Sequence, residues 1–202
     1  MLQRRDFCRR VTTATLGYCA VGPLVSWAND RLTSTTQQTI PIIDTHQHLW
    51  DLQRQKLPWL ENAAQVLRRS YVTQDYLQAT QGLNIVKAVY MEVDLAPADH
   101  LAEVDLITQL CKSPDEPTVA AVVGGRPGSE GFADYVRTIA RNPYVKGVRQ
   151  VLHRATTPTG YCLSEPFVRS MRLLGELGLS FDICLRTNEL SDAVKLADQC
   201  RD

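Results

Sequence analysis

Two spacings of apolar residues alternate along most of this chain. Runs at 40–49, 84–93, 118–124, 144–153 and 179–185 are short, apolar and rich in β-branched residues, as in NIVKAVYMEV and TVAAVVG. Such runs predict strands of a parallel sheet covered on both faces. Between them, and after the last, apolar side chains recur at helical spacing over 71–82, 100–111, 132–141, 165–178 and 189–199. In the second of these segments Leu101, Val104, Ile107 and Leu110 share a face. In the last, Leu190, Ala193, Val194 and Ala197 are predicted to point inward. Gly82 and Gly178 stand where a left-handed residue would close a helix. The pattern is five β/α units in series.

Such a series builds either an open doubly wound sheet or a barrel. No Gly-x-Gly-x-x-Gly follows the first strand and no Gly-x-x-x-x-Gly-Lys occurs anywhere. The glycine loops that cradle phosphates in dinucleotide and P-loop folds are therefore lacking. A complete eight-unit barrel takes about 250 residues, against 202 here. The expected fold is α/β, the N-terminal five β/α units of a (β/α)8 TIM barrel, incomplete. A self-contained five-stranded open sheet is the alternative.

Composition is that of an ordinary globular protein, 44% hydrophobic and 22% charged, with 22 Lys+Arg against 22 Asp+Glu. The charge is unevenly spread. Residues 1–28 carry Arg4, Arg5, Arg9 and Arg10 against Asp6 alone. The remainder is mildly acidic and has no basic stripe, which argues against a nucleic-acid partner. Gln3-Arg4-Arg5-Asp6-Phe7 resembles a twin-arginine export signal. The stretch from Val11 to Val25 is too short and too interrupted to span a membrane, and Ser26-Trp27-Ala28 offers a cleavage site. The expected organisation is a signal over 1–28, a polar linker over 29–39 and a catalytic-type domain over 40–202. The twin-arginine translocase is then a partner during export, no membrane is engaged after cleavage, and the destination is periplasmic or extracellular. Of the cysteines, Cys111, Cys162, Cys184 and Cys200 lie in the domain without a C-x-x-C pair and read as small buried hydrophobes.

The chemistry concentrates at predicted strand ends. Residues two apart on a strand share a face, so Asp44, His46 and His48 project together at the carboxyl end of the first strand, where barrel active sites lie. Two imidazoles on one rigid strand suit two nitrogen ligands of a Zn2+-like ion, and Asp44 or a backbone group could orient one of them. Arg149, Val151 and His153 alternate on the fourth strand. His153 is a candidate acid/base, substrate-binding or metal-contacting group. Arg149 is a candidate for gripping a carboxylate or lactone oxygen, with a structural ion pair as the plainer alternative. Glu92 closes the second strand, near the metal or a substrate hydroxyl, or else as a solvated loop carboxylate. Asp182 is a candidate buried polar group beside Cys184 and Arg186. Trp59, on the long first loop, is placed to cover a pocket. His100 is expected at the surface, opening a helix.

The run Ile42-Ile43-Asp44-Thr45-His46-Gln47-His48-Leu49-Trp50-Asp51 resembles the opening of the amidohydrolase-related (amidohydrolase 2) family. Gly147-Val148-Arg149-Gln150-Val151-Leu152-His153 and Phe181-Asp182-Ile183-Cys184-Leu185-Arg186 are similar to its sugar-lactonase branch. The resemblance covers roughly residues 40–202. It implies a metal-dependent TIM-barrel hydrolase with His46 and His48 as metal ligands, one divalent ion, Zn2+ by preference, and a small-molecule lactone or cyclic ester of a sugar acid or similar carboxylate as substrate. Lys146 begins the fourth strand instead of ending it, so the carboxylated lysine of two-metal relatives has no counterpart. The later His and the last-strand Asp that complete the family's site have no counterpart either, so the chain reads as truncated. A decarboxylase of the same superfamily and a catalytically inert fragment are the competing expectations.

Overall fold

The computed structural model describes residues 40–201; the predicted signal and linker lie outside them. Five parallel strands, β1 (Ile42–Gln47), β2 (Ile85–Met91), β3 (Thr118–Gly124), β4 (Val145–Val151) and β5 (Ser180–Cys184), pair in sequence order. Each is followed by a helix: α1 (Thr73–Ala79), α2 (His100–Lys112), α3 (Phe132–Ile139), α4 (Glu165–Glu176) and α5 (Leu190–Gln199). Successive parallel strands joined by helices, with no strand skipped, are the curled beginning of a (β/α)8 barrel and not a doubly wound sheet. Among the described residues no helix is long and apolar enough to cross a membrane.

The ladders stop one or more residues short of four of the predicted runs. Beyond the strand ends Leu49, Val93 and Leu152 are still buried, at 5%, 5% and 1% exposure. Burial keeps those loop residues apolar, so hydrophobicity outruns the hydrogen-bonded strand. His48, Glu92 and His153 accordingly sit just past β1, β2 and β4.

Close strand approach explains one residue of the fourth-strand motif. A Cβ added to Gly147 would collide with the Ser180 hydroxyl and come within 2.8 Å of the Ser180 carbonyl oxygen. Glycine here lets β4 and β5 pair in continuous register from Gly147–Ser180 to Val151–Cys184. That register sets Arg149 beside Asp182.

Two expectations about helix faces are corrected. In α5 Leu190 and Val194 are 63% and 62% exposed, and Leu196 is the buried apolar residue. The helix packs chiefly on the turn Tyr161–Leu163, which turns its buried side away from the predicted stripe. His100 is not on the surface but 4% exposed. It is the first residue of α2 and packs against the end of β3, its ring centroid 5.7 Å from that of Tyr135. Burial pushes its imidazole down to about 4, so the ring is neutral.

Beside it lies a buried carboxyl. Glu103 is wholly buried and accepts hydrogen bonds from the Tyr90 hydroxyl and the Gly124 amide, both at 2.8 Å. These tie α2 to β2 and β3. A Cβ on Gly124 would lie 3.1 Å from Glu103 Oε2 and 3.3 Å from His100 Nε2, so the strand end leaves that space to the two polar groups.

Desolvation raises the Glu103 carboxyl to about 7 from 4.5. A raised folded-state value favours the folded protein below pH about 4.5, and this advantage is lost as pH rises to about 7. His100 acts in the opposite sense over part of that window, so the effect is read as a difference between proteins. Glu103→Gln should abolish a pH-dependent stability of order 3 kcal/mol between these limits. Urea unfolding of both proteins across that range checks it, and parallel pH profiles would refute it.

Candidate active site

Five of the predicted site residues meet in one cleft. His48, Trp59, Glu92, Arg149 and His153 line it together with Trp50, Val93, Asp94, Val151 and Arg154, enclosing about 430 Å³. It opens at the carboxyl ends of β1, β2 and β4, the functional end of a barrel. His46 stands beside it on β1, its ring centroid 4.8 Å from that of His48 and the ring planes at 82°. Asp182 is half-buried on β5, in register with Arg149, and does not line the cleft.

The His48 imidazole is held by backbone and not by Asp44. His48 Nδ1 lies 3.0 Å from the Met91 carbonyl oxygen. A carbonyl only accepts, so Nδ1 carries the proton and Nε2 keeps its lone pair. Asp44 is used differently: it accepts the His46 amide at 3.0 Å and the Tyr76 hydroxyl at 2.9 Å, pinning the strand next to an irregularity in the β1–β2 register. Burial lowers the His48 pKa, opposed by the Met91 hydrogen bond and assisted by the charges of His46 and Arg149. A neutral ring is the form that donates to a metal.

These features fit two ligands of a divalent ion: adjacent imidazoles, that of His48 with its tautomer fixed. They fall short of a closed set, because among the described residues no three His, Cys, Asp or Glu side chains converge on a point.

The floor of the cleft is charged and fully engaged. Glu92 is 0% exposed and accepts Arg149 Nη1 at 2.8 Å and the Asp94 amide at 2.6 Å. It is not the solvated loop carboxylate of the plainer expectation. Burial raises its pKa, and the guanidinium groups of Arg149, Arg126 and Arg154 oppose that rise. Arg149 gives its second arm, Nη2, to Cys184 Sγ at 3.1 Å. The structural ion pair is thus the arrangement found. Cys184 also meets His153 Nδ1 at 3.3 Å. It is a polar partner, not the packing residue that its spacing predicted.

Two groups were missed by reading the sequence. Asp94 adopts φ of +56°, accepts Arg126 Nη2 at 2.8 Å and forms an ion pair with Arg154. The Arg154 side chain is 43% exposed and faces the cleft. Trp59 Nε1 donates to the Val93 carbonyl at 2.8 Å, and its ring meets Trp50 edge-on at 6.0 Å, giving the cleft an aromatic wall. The only signal for Arg154 was its place next to His153.

Five β/α units with imidazoles at the carboxyl end of the first strand are the start of a (β/α)8 barrel, and the comparisons give its family. The amidohydrolase family model Amidohydro_2 matches residues 43–202, and the chain belongs to that family. It is 30% identical to Amidohydrolase 2 of Bifidobacterium longum subsp. infantis, with a TM-score of 0.60 over 80% of this chain and 58% of that one. A Burkholderia multivorans amidohydrolase with zinc bound matches at 18% identity and TM-score 0.62, over 78% of this chain and 54% of its own. An Acinetobacter baumannii protein described as a probable 2-pyrone-4,6-dicarboxylic acid hydrolase, with citric acid bound, matches at 16% identity and TM-score 0.54, over 79% and 54%. The chain thus spans little more than half the length of these relatives.

Removing one partner of the buried pair should be costly. Arg149→Met strands the Glu92 carboxylate and should lower stability by about 3–5 kcal/mol, whereas Arg149→Met with Glu92→Leu should recover most of it. Urea denaturation of the three proteins measures this; a single variant as stable as the parent would sink the assignment.

Proposed function

We propose that the cleft belongs to a metal-dependent hydrolase acting on a lactone or cyclic ester of a sugar acid or similar carboxylate. The observation that carries this reading is the adjacent His46–His48 pair at the mouth of a cleft whose exposed cation is Arg154. His46 and His48 would hold the ion, and when bound it would supply Lewis acidity toward the ester carbonyl. Zinc in the Burkholderia relative and citric acid in the Acinetobacter relative support the metal and the carboxylate, respectively.

The chain's own residues do the positioning. Arg154, tethered by Asp94, presents a guanidinium that can grip a substrate carboxylate by its planar fork. Arg149 keeps its place by Glu92 and shapes the floor instead of meeting the substrate. Trp50 and Trp59 offer an apolar wall to a ring and keep water from that side. His153 is exposed, with Nδ1 toward Cys184, so Nε2 is the atom that can give a proton to, or take one from, the opening ester.

Zinc affinity and hydrolysis test the reading together. His46→Ala and His48→Ala should each weaken zinc binding about tenfold or more, as measured by competition with a chelating dye. Zinc-loaded protein should open an aldonolactone with uptake of one water and release of acid. Unchanged zinc affinity in both variants would be fatal to the ligand assignment, and CO2 release without acid formation from the ester would favour a lyase.

We also propose export by the twin-arginine translocase, on the strength of Arg4-Arg5 followed by Phe7 and an apolar stretch. Changing both arginines to lysine should leave the protein inside cells that otherwise export it, as fractionation would reveal. Export unaffected by that change would contradict the route.

A further inference from the structure

Cys184 ends β5 within reach of two cationic or basic groups at once. Arg149 Nη2 lies 3.1 Å from the sulfur and His153 Nδ1 lies 3.3 Å from it. A guanidinium can only donate, so the sulfur is the acceptor in the first contact. The thiol's own proton is then left to point at His153 Nδ1, which accepts it when the ring hydrogen sits on Nε2. Arg149 cannot swing away, because its other arm is bound to the wholly buried Glu92. The result is a chain of four side chains, Glu92, Arg149, Cys184 and His153, running from the buried floor to the exposed rim of the cleft.

The other described cysteines differ. Burial pushes the Cys111 thiol up to about 11. Cys162 is buried and likewise raised, by burial first and then by the charge of Asp192. Among the described residues neither of these, nor Cys200, has a guanidinium or imidazole hydrogen-bonded to its sulfur, which is the setting that makes a thiol nucleophilic.

We propose that Cys184, beside the cleft and bonded to two residues that line it, is a nucleophilic thiol that reacts with hydroperoxides, with His153 as its proton acceptor. The sulfur attacks the terminal peroxide oxygen, the S–O bond forms and the O–O bond breaks. The thiol proton passes to His153 Nδ1 and then to the departing oxygen, which leaves as water or an alcohol. Cysteine becomes sulfenic acid and the peroxide is reduced. Arg149 thereby loses its thiol partner, so the modification reports directly on the cleft. The inference rests on β2, β4 and β5 alone and stands whether or not the hydrolase reading does.

The test uses the full chain treated with hydrogen peroxide near neutral pH, with sulfenic acid trapped by dimedone and located by peptide mass mapping. Cys184 should be modified about tenfold or more faster than Cys111, Cys162 and Cys200, and His153→Gln should slow it about tenfold while leaving those three unchanged. Protection of Cys111 and Cys162 shows that the variant is folded. Should His153→Gln expose them, the ranking of the cysteines in the unaltered protein decides alone. Cys184 reacting no faster than Cys200, or at the same rate in a folded His153→Gln protein, overturns the proposal.

Discussion

The buried ion pair between Glu92 and Arg149 is the constraint around which the cleft is arranged. Taking both charges out of water is costly, and only close geometry with further hydrogen bonds offsets that cost. The further bonds are present: the Asp94 amide fills the second oxygen of Glu92, and Cys184 takes the second arm of Arg149. The pair therefore ties the end of β2 to β4 and β5 across β3. Every other group at the cleft is placed with reference to it. Met91, one residue before Glu92, holds His48, and Asp94, two residues after Glu92, holds Arg126 and Arg154.

Much of this was legible in the sequence because it depends on periodicity. All five strands and all five helices lie where the apolar spacing puts them, whereas alternation alone left the strand order open between a barrel and a doubly wound sheet. The adjacency of His46 and His48 was legible because residues two apart along a strand direction share a face. The ends of strands were not, since Leu49, Val93 and Leu152 are apolar for burial in loops and not for sheet pairing. The inward face of α5 was misread for a related reason. Spacing selects a stripe, but the neighbour on which the helix rests decides which stripe is covered.

Polar partnerships were the least legible. Glu92, Arg149 and Cys184 lie far apart in sequence, and only the barrel's curl and the close β4–β5 approach at Gly147 bring them together. His100 was misplaced because its setting is made by β3 and α3, not by its own helix. Glu103 carried no motif at all, yet it fastens α2 to two strands. A polar residue's role here is set by what closes over it, and that information is tertiary.

Asp94 carries a consequence of a different kind. Its backbone sits in the left-handed region, at a cost of about 1 kcal/mol or more for a residue with a side chain. What holds it there is a carboxylate gripping two arginines at a partly wetted rim. The shape of the loop after β2 is therefore maintained by charge, and charge at a wet surface weakens as dissolved ions accumulate. The mouth of this cleft is thus coupled to the saltiness of its surroundings: dilute conditions hold Arg154 taut over the opening, and brine lets it slacken, while the sealed pair beneath is indifferent to either.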